Sequence, residues 1–133
     1  MSNENVQIVS GLYEAFGKGN VPGVLSKLAD NIEWREADNF IYADRNPYIG
    51  PSAVLEGVFM RIVSQWENFT VIPESVLDAG DQVVTLGYYS GTNKKTGKSV
   101  RAQMVHVWTM ADGKATKFQQ YTDTAQFLKA VGK

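Results

Sequence analysis

The chain holds a single histidine, so any imidazole acid–base chemistry must run through His106. The competing reading is a core histidine satisfied by a neighbouring carbonyl. Glu36 stands at the end of the alternating run Ile32-Glu33-Trp34-Arg35-Glu36. Beside the rings of Trp34 and Tyr42 a carboxyl has its pKa raised and can serve as a general base. Its alternative is an exposed strand-end charge paired with Arg35 or Arg45. Gln103, Gln119 and Gln120 donate and accept hydrogen bonds without titrating. Because successive strand residues face opposite ways, only one of the pair Gln119 and Gln120 can reach a pocket. The rings of Trp34, Phe59, Trp66, Tyr88, Trp108, Phe118 and Tyr121 are most simply core. Where core volume is left unfilled they line an apolar ligand site.

The absences narrow the chemistry. There is no cysteine, hence no disulfide, thiolate nucleophile or Cys-ligated metal. No Gly-rich phosphate loop follows a strand, no GxSxG elbow occurs, and no paired His spacing marks a metal. Neither metal nor cofactor is expected. The net charge is −1 and the 13 basic residues are scattered, so no stripe follows a phosphate backbone and nucleic acid is not expected as a partner. The polar start, Met1-Ser2-Asn3-Glu4-Asn5, does not read as a signal peptide, and no apolar run is long enough to span a bilayer. These features fit a cytoplasmic protein with no membrane partner. Asn68-Phe69-Thr70 matches a glycosylation sequon, which carries no weight without secretion.

The elements that must position these groups come helices first, then strands, the order of an α+β fold in one domain over 1–133. Val6, Val9, Leu12, Tyr13 and Phe16 recur at helical spacing, with Ser2 or Asn3 as cap and Gly17 and Gly19 as stop. Asn20 caps a second helix whose buried stripe is Val21, Val24, Leu25 and Leu28. The strand Ile32–Glu36 follows, then an irregular loop over 37–50 carrying Phe40, Tyr42 and Tyr48. Gly50-Pro51-Ser52 opens a third helix with Val54, Leu55, Val58, Phe59, Ile62 and Trp66 on its apolar face. From Phe69 the period changes to two. Strands are expected over 69–78, 82–92, 99–110 and 115–122, joined by Gly-containing turns into an antiparallel meander, with a short closing helix from Asp123 to Ala130.

The strand over 99–110 places Ala102, Met104, His106 and Trp108 on one side and Val105 and Val107 on the other. A sheet apolar on both faces needs two covers, and three helices can supply only one. The second is expected to be another copy of the chain, a homodimer through the sheet.

The runs Leu12–Asn20, Leu28–Trp34, Tyr48–Pro51 and His106–Lys114 resemble the nuclear-transport-factor-2-like superfamily. Within it, the ketosteroid-isomerase-like and polyketide-cyclase (SnoaL-like) group is the nearest likeness. The ending Phe118-Gln119-Gln120-Tyr121-Thr122-Asp123-Thr124-Ala125 is similar to its ketosteroid-isomerase-related members. The resemblance covers nearly the whole chain. It implies a cone-shaped α+β barrel, with three N-terminal helices on a curved mixed or antiparallel sheet and a short C-terminal helix. It implies the fold strongly and the reaction weakly, since this fold serves many functions.

Position by position, the isomerases' general-base aspartate corresponds to Glu36. Their oxyanion tyrosine corresponds to Leu12, with Tyr13 beside it facing another way, and their protonated oxyanion aspartate corresponds to Val105. The cyclases' histidine corresponds to His106 and their catalytic aspartate to Gln120. Val105 and His106 cannot both face the pocket of a regular strand. The phase that also turns Met104 and Trp108 inward selects His106.

The resulting expectation is a small pocket for a hydrophobic carbonyl compound, used for cofactor-independent isomerase, cyclase or hydratase chemistry. Glu36 would move a proton α to the carbonyl, while His106 and Gln120 hydrogen-bond the oxygen where charge develops. Trp34, Tyr42, Tyr48, Phe59, Met104, Trp108, Phe118 and Gln120 are expected to bind the substrate. The alternative is a non-catalytic binding module using the same pocket.

Overall fold

The computed structural model describes residues 2–133. Helix α1 (Ser2–Gly17) leads into α2 (Val21–Leu25) through a tight turn. Ser2 already lies in the helix, and the side chains of Ser2 and Asn3, expected as caps, fall outside the described residues. Asn20 caps α2 as expected, its Oδ1 accepting from the Gly23 amide at 3.0 Å.

The second helix is shorter than its apolar stripe implies. Leu28, expected on its face, instead opens strand β1 (Leu28–Arg35). There it pairs in parallel with Ala115, so a strand partner distant in sequence overrides the local period. Strand β2 (Tyr48–Ile49) lies inside the segment read as a loop, antiparallel to β1. Gly50, at φ 88°, then starts the third helix, α3 (51–65), as expected. This helix is built from Pro51–Val54, a π-helical turn Leu55–Phe59, and Met60–Gln65. Trp66 does not continue its apolar face. Its backbone is extended (φ −128°, ψ 146°), and it opens β3 (Trp66–Ala79), which therefore begins three residues before the expected start at Phe69.

The meander continues through β4 (Gln82–Asn93), β5 (Ser99–Ala111) and β6 (Lys114–Thr122), and closes with helix α4 (Thr124–Ala130). The six strands run in the order β2-β1-β6-β5-β4-β3. β1 and β6 are parallel and every other pair is antiparallel, so the sheet is mixed. The β5–β6 turn places Asp112 at φ 52° and Gly113 at φ 79°, the two positive angles of a type I′ hairpin. Pro73 sits where the β3–β4 register slips, on an edge strand where its missing N–H costs least.

One face of the sheet is covered by helices. Along β5 the side chains of Val100, Ala102, Met104, His106, Trp108 and Met110 are buried, whereas Val105 and Val107 are only half-buried. The phase that turns His106 inward is therefore the one adopted. The opposite face leaves Leu77, Leu86 and Tyr121 at 47%, 39% and 55% exposure. Among the described residues no helix is long and apolar enough to cross a membrane.

Candidate functional site

Between α1, α2, α3 and the inner sheet face lies a cavity of about 60 Å³. One water needs roughly 10–15 Å³ of such space, so the cavity has room for a small ligand or a few waters. Its wall is mostly apolar, with Leu12, Phe16 and Val24 from the helical hairpin, Val58, Phe59 and Ile62 from α3, and Trp34, Trp108 and Phe118 from the sheet. Trp34 stacks on Phe118 at 3.7 Å between ring centroids, following the register that sets the two opposite each other on β1 and β6. Besides the indole N–H groups of Trp34 and Trp108, the polar side chains of the lining are Glu36, Tyr13, Tyr89, His106 and Gln120.

Glu36 lies one residue beyond β1, and the alternation that buries Trp34 turns its side chain inward too. Asn46 fixes its backbone from both sides. The Glu36 amide donates to Asn46 Oδ1 at 2.9 Å, and Asn46 Nδ2 donates to the Glu36 carbonyl at 2.8 Å. The carboxyl accepts one hydrogen bond, from Trp34 Nε1 at 3.3 Å. Burial pushes its pKa up to about 8, against weaker downward pulls from the Trp34 bond and the field of Arg61. Near neutrality Glu36 is therefore mostly protonated.

His106 sits on β5 directly across from Thr85 on β4 and Gln120 on β6. Both ring nitrogens are engaged by tyrosines, Nδ1 at 2.7 Å from the Tyr13 hydroxyl and Nε2 at 2.5 Å from the Tyr89 hydroxyl. The histidine is thus satisfied, by two hydroxyls rather than a carbonyl, and has no nitrogen left for a ligand. Burial lowers its pKa to about 3, so the ring is neutral. Trp108 Nε1 donates to the Tyr13 hydroxyl at 2.9 Å. Gln120 is anchored by its Oε1, which accepts from the Ala37 amide at 3.0 Å, while its Nε2 donates to the Tyr89 hydroxyl at 2.9 Å. Burial raises the pKa of both tyrosines, that of Tyr89 further because of the nearby Glu36 carboxylate. At neutral pH the cavity wall carries almost no charge.

The structure gathers Glu36, His106, Trp34, Phe59, Trp108, Phe118 and Gln120 around one space. Three other expected ligand-binding residues lie elsewhere. Tyr48 is buried with its hydroxyl donating to the Tyr42 carbonyl. Tyr42 donates to Gln65 Oε1 at 2.6 Å and accepts from Trp66 Nε1 at 3.0 Å, which ties the loop to the end of α3. Met104 is buried on β5 between Gly87 and Thr122, outside the cavity wall. From the aromatic loop only Phe40 lines the cavity.

Tyr89 was not among the residues the sequence singled out, and Tyr13, expected to face another way from Leu12, reaches the same cavity. Tyr13 lies one place from Leu12 on α1, and both residues reach the cavity because it spans more than one helical row. Tyr89 has an equally aromatic neighbour in Tyr88, and only the pairing of Tyr89 with Ala102 decides which ring faces inward. Among the described residues no cluster of three or more His, Cys, Asp and Glu side chains is arranged to hold a metal.

A sequence profile of the SnoaL-like domain matches residues 9–118. An NTF2-like protein from Burkholderia thailandensis is 34% identical, with 96% of this chain and 97% of that one covered and a TM-score of 0.91. An NTF2-like protein of unknown function from Burkholderia pseudomallei is 27% identical, with 98% of each chain covered and a TM-score of 0.88. A putative SnoaL-like polyketide cyclase from a Jannaschia species is 18% identical over 97% of this chain and 92% of its own, TM-score 0.81, a likeness of fold alone. No curated protein matches the chain.

Proposed function

The chain belongs to the SnoaL-like domain family, and from that premise we propose that it binds a small, neutral, hydrophobic carbonyl compound and shuttles a proton at the carbon next to the carbonyl. The observation that carries this reading is Glu36, a carboxyl buried in an apolar cavity with a single hydrogen bond. A carboxyl whose pKa is about 8 changes protonation state close to working pH, which is what a proton shuttle requires. As base, its carboxylate takes a proton from the α-carbon, the C–H electron pair becomes the C=C bond of an enolate, and charge collects on the oxygen. Returning that proton from Glu36 to the same or another carbon uses the C=C pair to form the new C–H bond, restores the neutral carbonyl compound and the Glu36 carboxylate, and completes an exchange or an isomerisation. No cofactor is needed for this sequence.

Because His106 has both nitrogens engaged, it acts here as a positioning residue for the two tyrosine hydroxyls rather than as a direct contact. Gln120 holds one of those hydroxyls in the same way.

The test is deuterium incorporation into cyclohexanone in D2O, followed by NMR. Wild-type protein should speed exchange of the α-protons above the buffer rate, with a pH profile rising through about 8. Glu36→Gln should lose roughly 10²–10⁴-fold of that acceleration. An equal rate in the variant removes Glu36 from the chemistry.

The small cavity, and a carboxyl that is mostly protonated near neutrality, also fit a second reading, a non-catalytic binding module in which Glu36 donates a hydrogen bond. Saturable binding of cyclohexanone without any exchange selects that reading. The exposed apolar residues of the outer sheet face further lead us to propose that two copies pair through it.

A further inference from the structure

The hydrogen-bond chain around His106 holds one more proton than it has places for. Its four contacts are Trp108 to Tyr13, Tyr13 to His106 Nδ1, His106 Nε2 to Tyr89, and Gln120 to Tyr89. Five hydrogens compete for them: the Trp108 N–H, the Gln120 N–H, two tyrosine hydroxyls and the one N–H of a neutral imidazole. Trp108 and Gln120 can only donate at these contacts, so the tyrosine oxygens accept from them. The remaining two contacts use two of the remaining three hydrogens. One hydroxyl hydrogen must therefore point out of the chain, and the tautomer of His106 decides which.

With the ring proton on Nδ1, the ring donates to Tyr13, Tyr89 donates to Nε2, and the spare hydrogen belongs to Tyr13. Its acceptor is at hand. Thr85 is fully buried opposite His106, its hydroxyl faces that of Tyr13, and its Oγ1 makes no well-formed hydrogen bond to any described residue. With the ring proton on Nε2, Tyr13 donates to Nδ1, the ring donates to Tyr89, and the spare hydrogen belongs to Tyr89, which lines the cavity.

We propose that Tyr89 is the hydrogen-bond donor the pocket offers to a ligand oxygen, and that His106 switches from the Nδ1–H to the Nε2–H tautomer when a neutral carbonyl compound occupies the cavity. This assignment rests on the ligand class proposed above. Both states carry the same three protons, one on the ring and one on each hydroxyl. Conversion moves the ring proton between nitrogens and turns the hydroxyls, with no co-reactant. Without a ligand oxygen the spare hydrogen faces an acceptor at Thr85 in the first state and a mostly apolar space in the second, which favours the first. A ligand oxygen beside Tyr89 draws it into the second. A buried donor left without an acceptor is costly, so Thr85 and the ligand oxygen compete for one hydrogen. An apolar ligand of the same shape has no oxygen to enter that competition.

The single histidine makes the experiment direct, because ¹⁵N-histidine labelling reports one ring. Long-range ¹H–¹⁵N spectra should show the Nδ1–H form in the free protein and the Nε2–H form at saturating cyclohexanone. Methylenecyclohexane, which has the same ring and an exocyclic CH2 in place of the oxygen, should bind and leave the tautomer unchanged. Thr85→Val, which removes the competing acceptor, should show Nε2–H without any ligand. Tyr89→Phe should weaken cyclohexanone about tenfold and leave methylenecyclohexane as it was. Bound cyclohexanone with an unmoved ring would overturn the switch while leaving the pocket reading intact, as would a free Thr85→Val ring that remains Nδ1–H. If neither probe binds, the pocket reading itself fails and this assignment with it.

Discussion

A neutral carboxyl and a neutral imidazole a few side chains apart pull the stability of this protein in opposite directions as pH changes. Glu36 has its pKa raised from 4.5 to about 8 on folding. The native state therefore holds its proton more tightly, and the stability this gives is full below 4.5 and lost as pH rises through 8. His106 has its pKa lowered from 6.5 to about 3 by burial. Its contribution is present above 6.5 and lost as pH falls toward 3. Between 4.5 and 6.5 the two slopes cancel, and above 6.5 only the Glu36 loss remains. Urea unfolding of wild type should therefore show stability falling from pH 6.5 to 8.5 by on the order of 1–3 kcal/mol relative to Glu36→Gln. Parallel curves for the two proteins would contradict a buried, neutral Glu36. Residue types and strand phase were enough to single out Glu36, His106 and Gln120 in the sequence. The engagement of His106 by Tyr13 and Tyr89 was not legible, because they come from α1 and β4, 93 and 17 positions away in the chain, and no local pattern encodes such a meeting.

The elements were legible where periodicity was local and failed where a distant partner decided. The hairpin turns at Gly80, Gly97 and Gly113 all carry the positive φ expected of them. Leu28 and Trp66 were misplaced for one reason: each continues the apolar period of the helix before it, yet each is claimed by a strand. The parallel pairing of β1 with β6 is equally invisible in a pattern that reads as a meander. The β3–β4 pair also has a contact that sequence alone does not reveal. A Cβ on Gly87 would lie 2.0 Å from the Ile72 carbonyl oxygen, beside the register slip at Pro73. Backbone cannot yield there without opening the sheet. Gly87→Ala should lower stability by about 2–4 kcal/mol in urea unfolding. Gly11→Ala, in the interior of α1 with nothing within 4 Å, should raise it by about 0.5–1 kcal/mol. Equal effects from the two substitutions would mean that the close approach at Gly87 is absent.

At the scale of the whole molecule the sheet has one covered face and one open face. Leu86 and Tyr88 on β4, Val105 and Val107 on β5, and Leu77 on β3 leave apolar surface at or near solvent on the outer side. Arg101 lies over the Tyr88 ring at 4.2 Å, a polar edge to that surface. A second copy placed face to face by a two-fold axis would cover it with itself. Sedimentation at micromolar concentration should give a dimer for the wild type and a monomer for Leu86→Lys combined with Tyr121→Asp. A wild-type monomer would contradict the pairing. The α+β architecture followed from the order of helical and alternating segments, whereas the size of the cavity depended on side chains meeting from three helices and five strands.

Proton transfer in this cavity depends most on the state of Glu36, which can be measured alone. A ¹³C-carboxyl NMR titration of the protein, with Glu36→Gln assigning the resonance, should show a midpoint at about 8. A midpoint in the ordinary carboxylate range, near about 4.3, would place Glu36 in water and contradict the proton-transfer reading.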